Sequence, residues 1–157
     1  MKTSKCLYCY KPLLENEQDF HAVCTKKMFG TNQAPKIDFN LKDLEKLAKE
    51  IVVRSIAITG VQPKLSLDLE KHRNQISRLT IVGLYGNYIL KPPSKEYREL
   101  PQNEDLTMHL ANIVKIKVAQ HCLIRLHSGE LAYITKRFDR SKKSKIAVED
   151  FCQLSEN

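Results

Sequence analysis

Hydrophobic residues in the first half of the chain follow two different repeats. Over residues 41–52 they recur every three or four positions, which is the spacing of one face of an α-helix. The members of this stripe are Leu41, Leu44, Leu47, Ala48, Ile51 and Val52. Over residues 65–69 leucines alternate with polar residues, and this period of two predicts a half-buried strand. We predict two further strands over 76–82 and 88–91, the latter ended by two prolines.

The second half of the chain mixes helix and strand patterns in the same way. A helix is predicted to open at Asn103. Its apolar stripe consists of Leu106, Leu110, Ile113 and Val114. Two strands are predicted over 117–126 and 131–138, joined by a turn that contains a glycine. Strands, a helix and strands again predict an α+β fold, in which an antiparallel sheet carries helices on one side.

The residues before the first predicted helix differ from this body in composition. Small residues, polar residues and a proline cluster over 30–35, which is typical of a connection between two units. We therefore predict a short head over residues 1–30 and a body over residues 36–157.

The head carries two close pairs of metal-binding side chains. Cys6 and Cys9 form the first pair, and His21 and Cys24 form the second. Three thiolates and one imidazole in paired spacing suit a tetrahedral zinc site, so we predict structural Zn²⁺ here. Such a site would also hold together a head that is too short to bury a core of its own. The alternative interpretation is a set of buried cysteines beside an exposed histidine.

Composition and charge narrow the class of protein. The chain of 157 residues carries 26 Lys and Arg against 18 Asp and Glu, a net charge of +8. A nucleic acid, an acidic membrane lipid or a phosphorylated ligand would suit this charge, as would a solvated basic face. A zinc-bearing nucleic-acid binder is the least favoured function, because the few aromatic residues do not interleave with the basic clusters. The chain has no apolar run long enough for a transmembrane helix, and its first residues are not followed by the apolar segment of a signal peptide. We therefore predict a cytoplasmic protein without a membrane partner.

A loop and a lysine in the body have the chemistry to hold phosphate groups. The loop consists of Thr59, Gly60, Val61, Gln62, Pro63 and Lys64. Its glycine would let backbone amides approach a phosphate closely. Lys91 ends a predicted strand, and Glu104, at the start of the next helix, is placed to hold the lysine. Each feature alone is more often a turn or a surface ion pair, but their order is that of the N-terminal lobe of a protein kinase.

Four blocks of the body strengthen this interpretation. Residues 58–67, 88–93, 100–104 and 129–140 are ITGVQPKLSL, YILKPP, LPQNE and GELAYITKRFDR. In combination they closely resemble the HipA-like serine/threonine kinases, the toxin components of bacterial toxin–antitoxin pairs, and above all their short, HipT-type members. The likeness covers about residues 38–156 and implies a kinase-like N-terminal lobe that binds ATP and Mg²⁺.

The resemblance implies roles for individual residues. The ATP-binding set would be Thr59, Gly60, Val61, Gln62, Lys64, Lys91, Glu104, Arg137 and Phe138. Within it, Lys91 would bind the ATP phosphates and pair with Glu104, and the segment around Arg137 would approach the hinge that meets the adenine. Family members silence themselves by autophosphorylation of the loop. Ala57 stands here where many members have the first serine, which leaves Thr59 as the candidate for this modification.

A departure from the family pattern limits the expected activity. The resemblance implies that the catalytic and metal-binding aspartates belong to a C-terminal lobe, and neither Asp139 nor Asp150 replaces them. We therefore expect the chain by itself to be an ATP-binding but catalytically inactive part of a toxin kinase. Its partners would be a HipB-like antitoxin or a separate C-terminal lobe, with DNA reached only through the antitoxin. The alternative is a stand-alone binding or regulatory module that associates with such a kinase.

Overall fold

The computed structural model describes residues 4–54, 64–71, 76–82, 86–139, 146 and 148. Within these residues the chain forms three helices and five strands. The helices are α1 (Ala22–Phe29), α2 (Leu41–Arg54) and α3 (Leu100–Ile113), and the strands are β1 (Leu65–Glu70), β2 (Arg78–Ile81), β3 (Tyr88–Lys91), β4 (His121–Arg125) and β5 (Leu131–Lys136). None of the helices in this described part has the length and apolar character needed to cross a bilayer.

The five strands form a single antiparallel sheet in the order β2-β1-β3-β5-β4. β3 is central, with its Leu90 opposite Leu65 of β1 on one side and Ile134 of β5 on the other. β4 and β5 form a hairpin, and Gly129 in its turn takes the left-handed φ of +101° that glycine adopts without strain. The predicted α+β fold with an antiparallel sheet is therefore confirmed.

The head packs into the same hydrophobic core as the sheet. Met28 and Phe29 of α1 are 0% and 3% exposed, and the Phe29 ring lies 5.8 Å from that of Tyr88 on β3. The head also extends the edge of the sheet, because the Leu123 N–H of β4 donates to the Leu7 carbonyl at 3.1 Å. The buried apolar side chains of the head thus pack against the body, as a segment too short for its own core requires.

α3 begins three residues earlier than predicted, at Leu100 instead of Asn103. Pro101 lies in its first turn, where the missing N–H has no cost because that position has no intrahelical acceptor. Glu104 therefore lies beyond the first turn, which contains no acidic residue, and the predicted stabilisation of Glu104 by the helix start is wrong. The strand predicted over 117–126 is also shorter and spans His121–Arg125.

The apolar stripe of α3 does not face the core. Leu106, Leu110 and Ile113 are 50%, 54% and 73% exposed. The helix instead packs on β4 and β5, and its buried residues are Pro101 and Asp105. The three- and four-residue spacing of hydrophobic positions thus marked one face of the helix correctly, but spacing carries no information about what covers that face.

We predict that two equal truncations will have very different effects on stability. Leu67→Ala removes a side chain that is 0% exposed and should lower the free energy of unfolding by about 2–5 kcal/mol. Leu110→Ala, on the exposed face of α3, should change it by less than about 0.5 kcal/mol. Urea denaturation followed by circular dichroism measures both. An equally large loss for Leu110→Ala would contradict the orientation of α3.

Candidate functional site

Lys91 is the last residue of β3, and two groups hold its ammonium. Its Nζ donates to Oε1 of Glu104 on α3 at 2.5 Å, and both side chains are about one quarter exposed. Nζ also lies 5.7 Å from the ring centroid of Tyr133, the residue opposite Lys91 on β5. A lysine held by a carboxylate and an aromatic face keeps its charge in one place. The pair that the sequence predicted is present.

The phosphate-loop residues are described only at their end. Thr59, Gly60, Val61 and Gln62 lie outside the described residues, as does Ala57. Lys64 is exposed and directly precedes Leu65, whose strand partner is Leu90. Because Leu90 is next to Lys91, the backbone of Lys64 lies at the same end of the sheet as Lys91. The backbones of two positively charged residues, Lys64 and Lys91, therefore lie at the end of the sheet where β1 begins.

Arg137 and Phe138 lie at the other end of β3. The Arg137 N–H donates to the carbonyl of Asn87, which precedes β3, at 2.8 Å. The Arg137 guanidinium binds Asp139 at 2.8 and 2.5 Å, and these hydrogen bonds raise the pKa of the arginine. Phe138 is 70% exposed. The structure thus separates these two predicted residues from Lys91 by the length of the strand.

The four predicted metal ligands of the head come together. One ligand atom from each of Cys6, Cys9, His21 and Cys24 lies within 4.8 Å of all the others. His21 Nδ1 is 3.4 Å from the Cys9 sulfur and 3.7 Å from the Cys24 sulfur. The two pairs meet because Cys6 and Cys9 flank a turn, while His21 is the N-cap of α1 and Cys24 lies in its first turn. Such a cluster has the donor set and the spacing to bind a metal ion.

A hydrogen bond outside the cluster orients the histidine. His21 Nε2 lies 3.0 Å from the carbonyl of Pro12, which can only accept a hydrogen bond. The proton therefore belongs on Nε2, and the lone pair of Nδ1 points toward the sulfur atoms. This is how an outer hydrogen bond sets the tautomer of a histidine that ligates a metal.

The thiols of the cluster differ in how readily they ionise. Burial opposes ionisation of Cys6, but backbone hydrogen bonds from His21, Tyr8 and Cys9 bring the pKa of this thiol below its ordinary value. Burial, together with the neighbouring Cys9 and Cys6, raises the pKa of Cys24 to about 12. Crowded sulfur atoms repel one another when they are ionised, so a bound dication would favour the thiolate form of all three.

A second polar cluster, which the sequence did not predict, lies between the head and α3. Its centre is Asp105, whose side chain is 0% exposed. His121 Nδ1 of β4 is 2.7 Å from Asp105 Oδ1, His109 Nε2 is 3.5 Å from Oδ2, and the Tyr10 hydroxyl donates to Oδ2. Burial and the adjoining Asp105 raise the pKa of Tyr10, so its hydroxyl keeps the proton that it donates. The only signal in the sequence is that Asp105 and His109 are one helical turn apart.

Comparison with known proteins identifies relatives. The model of the HipA-like C-terminal domain family matches residues 56–157. A Haemophilus influenzae protein named "Putative kinase" is 29% identical over an alignment of 152 residues that covers 89% of this chain and 41% of that protein. A Sinorhizobium fredii protein named "Putative kinase Y4dM" is 30% identical over an alignment of 109 residues that covers 62% of this chain and 27% of that protein. The chain thus spans less than half the length of either relative.

The family match includes β1 to β5, α3 and the Lys91–Glu104 pair. It extends over more than half of the chain, and so does the similarity to each relative. The resemblance of the four sequence blocks is therefore confirmed, and the chain belongs to the HipA-like kinase family.

Proposed function

We propose that this chain is the ATP-binding part of a HipA-like serine/threonine protein kinase of a toxin–antitoxin system. The observation that carries the proposal is the ion pair between Lys91 on β3 and Glu104 on α3. In protein kinases a lysine on the third strand contacts the nucleotide phosphates and pairs with a glutamate on the following helix. The order of three strands, a helix and two strands in this chain supports the same arrangement.

The ion pair has the properties expected of a positioning device. Each side chain is about one quarter exposed, so solvent screens the attraction and the pair contributes on the order of 1 kcal/mol to stability. The main effect of the pair is to fix the position of the Lys91 ammonium. Because the side chain is already ordered, it loses little conformational entropy when it binds a phosphate. Lys64 at the same end of the sheet, with the loop before it, would add further contacts to the phosphates.

In the complete kinase, the γ-phosphoryl group would move from ATP to a serine or threonine hydroxyl of a protein substrate, and ADP would leave. The bond between the γ-phosphorus and the bridging oxygen breaks, a bond to the hydroxyl oxygen forms, and the hydroxyl proton goes to a catalytic base. Mg²⁺ neutralises phosphate charge when it is bound. Lys91 would orient the phosphates, and the segment that contains Arg137 and Phe138, at the far end of β3, would lie toward the adenine.

We also propose that the Cys/His cluster of the head binds Zn²⁺ and that this ion has a structural role. Three sulfur atoms and one imidazole nitrogen supply four ligands, which completes a tetrahedral site and leaves no position for a substrate. When bound, the ion would tie the turn at Cys6–Cys9 to α1. The oriented Nδ1 of His21 and the lowered pKa of Cys6 support this assignment.

A second candidate function is a binding module for a kinase lobe or a HipB-like antitoxin. The exposed stripe of α3 supports this function, because a contiguous apolar face on a helix is more often covered by a partner than solvated. Co-expression with the part of the Haemophilus relative that this chain does not match tests the first kind of partner. Leu110→Ser should weaken that complex, whereas Leu14→Ser, at a leucine of the head that is 70% exposed against 54% for Leu110, should not. Equal effects of the two changes would exclude the stripe as the contact.

We predict that Lys91→Ala weakens ATP binding at least tenfold. A hydrogen bond to a charged group contributes about 1.5–3 kcal/mol, and 1.4 kcal/mol is a factor of ten in affinity. Titration calorimetry with ATP and Mg²⁺ measures the change. The matched control is Lys95→Ala, because Lys95 is 78% exposed and pairs with Glu45 on α2. Binding that is unchanged in Lys91→Ala, or equally weak in both variants, would exclude the proposed site.

We predict that the purified chain contains one zinc ion and that Cys9→Ser or Cys24→Ser removes it. Serine lacks the thiolate that a zinc ion prefers, so the affinity falls by orders of magnitude. Elemental analysis by mass spectrometry gives the zinc content of each variant. Cys122→Ala is the control, since this buried cysteine of β4 lies outside the cluster, and this variant should keep its zinc. Loss of zinc from the control alone would point to a different site.

A further inference from the structure

Asp105 is a carboxylate that the protein has removed from water entirely. Leaving such a charge without partners costs several kcal/mol, so its position depends on the groups that bind it. Two of its neighbours belong to the body: His121 on β4, whose Nδ1 hydrogen-bonds Asp105 Oδ1 at 2.7 Å, and His109 on α3 itself, whose Nε2 lies 3.5 Å from Oδ2 without a hydrogen bond. The third is the Tyr10 hydroxyl, which comes from the head. The orientation of α3 against the sheet is therefore determined partly by the head.

Tyr10 is coupled directly to the metal-binding turn. It follows Cys9, its N–H donates to the Cys6 carbonyl at 2.9 Å, and its backbone takes the left-handed φ of 60°. Its ring lies 4.8 Å from that of His109. A non-glycine residue in this backbone conformation needs a surrounding structure that holds it there. The geometry of the turn that carries Cys6 and Cys9 thus decides where the Tyr10 hydroxyl points.

Two connections run from Asp105 to the candidate phosphate site. The first is the helix itself, since Glu104 and Asp105 are consecutive residues of one rigid element, and a shift of α3 moves both. The second crosses the sheet. His121 stacks on Tyr133 with ring centroids 5.8 Å apart, and Lys91 Nζ lies 5.7 Å from the Tyr133 ring. Tyr10, Asp105, His121, Tyr133, Lys91 and Glu104 thus form a continuous series of contacts from the head to the ion pair.

A hydrogen-bond network explains this cluster better than a second metal site does. Ligands around a tetrahedral ion with bonds of 2.0–2.1 Å are about 3.3 Å apart. His121 Nδ1 and Asp105 Oδ1 are 2.7 Å apart, which is the distance of a charge-assisted hydrogen bond. The cluster is therefore arranged to bind the carboxylate itself.

We infer that Tyr10 and Asp105 are positioning residues for the Lys91–Glu104 pair, and that metal in the head thereby controls nucleotide affinity. The inference rests on the proposed nucleotide site and adds a means of regulating it. With the metal ligands assembled, Tyr10 holds Asp105, and Glu104 is in place before the nucleotide arrives. When the ligands separate, the turn releases Tyr10 and α3 gains alternative positions. The fraction of chains that can bind nucleotide then falls, and the measured affinity falls with it.

The test is a thermodynamic cycle that combines the Tyr10→Phe substitution with removal of the metal. We would measure the dissociation constant for ATP and Mg²⁺ of wild type and of Tyr10→Phe, each loaded with zinc and after removal of zinc by a chelator that is then dialysed away. Tyr10→Phe should weaken binding about fivefold, the effect of one lost hydrogen bond. Removal of zinc should weaken ATP binding by the wild type at least about fivefold. It should weaken ATP binding by Tyr10→Phe very little further. The control is Tyr8→Phe in the same turn, because the Tyr8 ring contacts Lys27 and the substitution keeps this ring.

Hydrogen exchange of the α3 backbone provides a second measurement that needs no nucleotide. In the zinc-loaded state, Tyr10→Phe should raise exchange over residues 100–113 while Tyr8→Phe leaves it unchanged, and β5 is the internal reference for global unfolding. Equal α3 exchange in the two loaded variants overturns the inference, as does zinc removal that weakens binding by the same factor in wild type and Tyr10→Phe. If loaded wild type does not bind ATP, the proposed function fails, and α3 exchange still decides whether Tyr10 holds the helix.

Discussion

The buried carboxylate of Asp105 is the constraint on which the arrangement of head, helix and sheet depends. A charge without exposed surface is tolerated only when donors hydrogen-bond it, and these donors are Tyr10 in the head and His121 in β4, while His109 of α3 lies 3.5 Å away. The head, α3 and β4 must therefore meet at one point. Because the polar contacts are directional, they specify the rotation of α3, which the few apolar contacts of its buried face would leave poorly determined.

The orientation of α3 has two consequences on opposite faces of the helix. On the inner side Glu104 reaches Lys91 at the end of β3, and the pair is held by the Tyr133 ring below it. On the outer side the leucines at positions 106 and 110 remain half exposed. The same rotation of α3 thus creates the candidate phosphate site and an apolar surface suited to a partner. Binding of a ligand and binding of a partner would therefore both shift the orientation of α3.

The head contributes more than its Cys/His cluster. It supplies buried apolar side chains to the common core, extends the sheet edge through Leu7, and anchors to β4 by three hydrogen bonds from Arg125 to the Asp19 carboxylate at 2.8–3.2 Å. The packing and these hydrogen bonds therefore stabilise one docked state, in which the Cys/His cluster is assembled. Hydrophobic burial is non-directional and holds the head in place, while the turn that carries Cys6 and Cys9 sets the direction of the Tyr10 hydroxyl that hydrogen-bonds Asp105.

Local spacing in the sequence was enough to predict the strands, the antiparallel sheet, the four residues of the Cys/His cluster and the pairing of Lys91 with Glu104. Each of these depends on side chains close in sequence or on the order of elements, and the four blocks placed the chain in its family. The start of α3 was predicted three residues too late, because Pro101 was not recognised as a residue of the first turn. Which face of α3 is covered, and the network around Asp105, were decided only by the tertiary structure. Tyr10 and Asp105 are 95 residues apart, and no local pattern records whether a carboxylate at the side of a helix will meet water or the hydroxyl of a distant tyrosine.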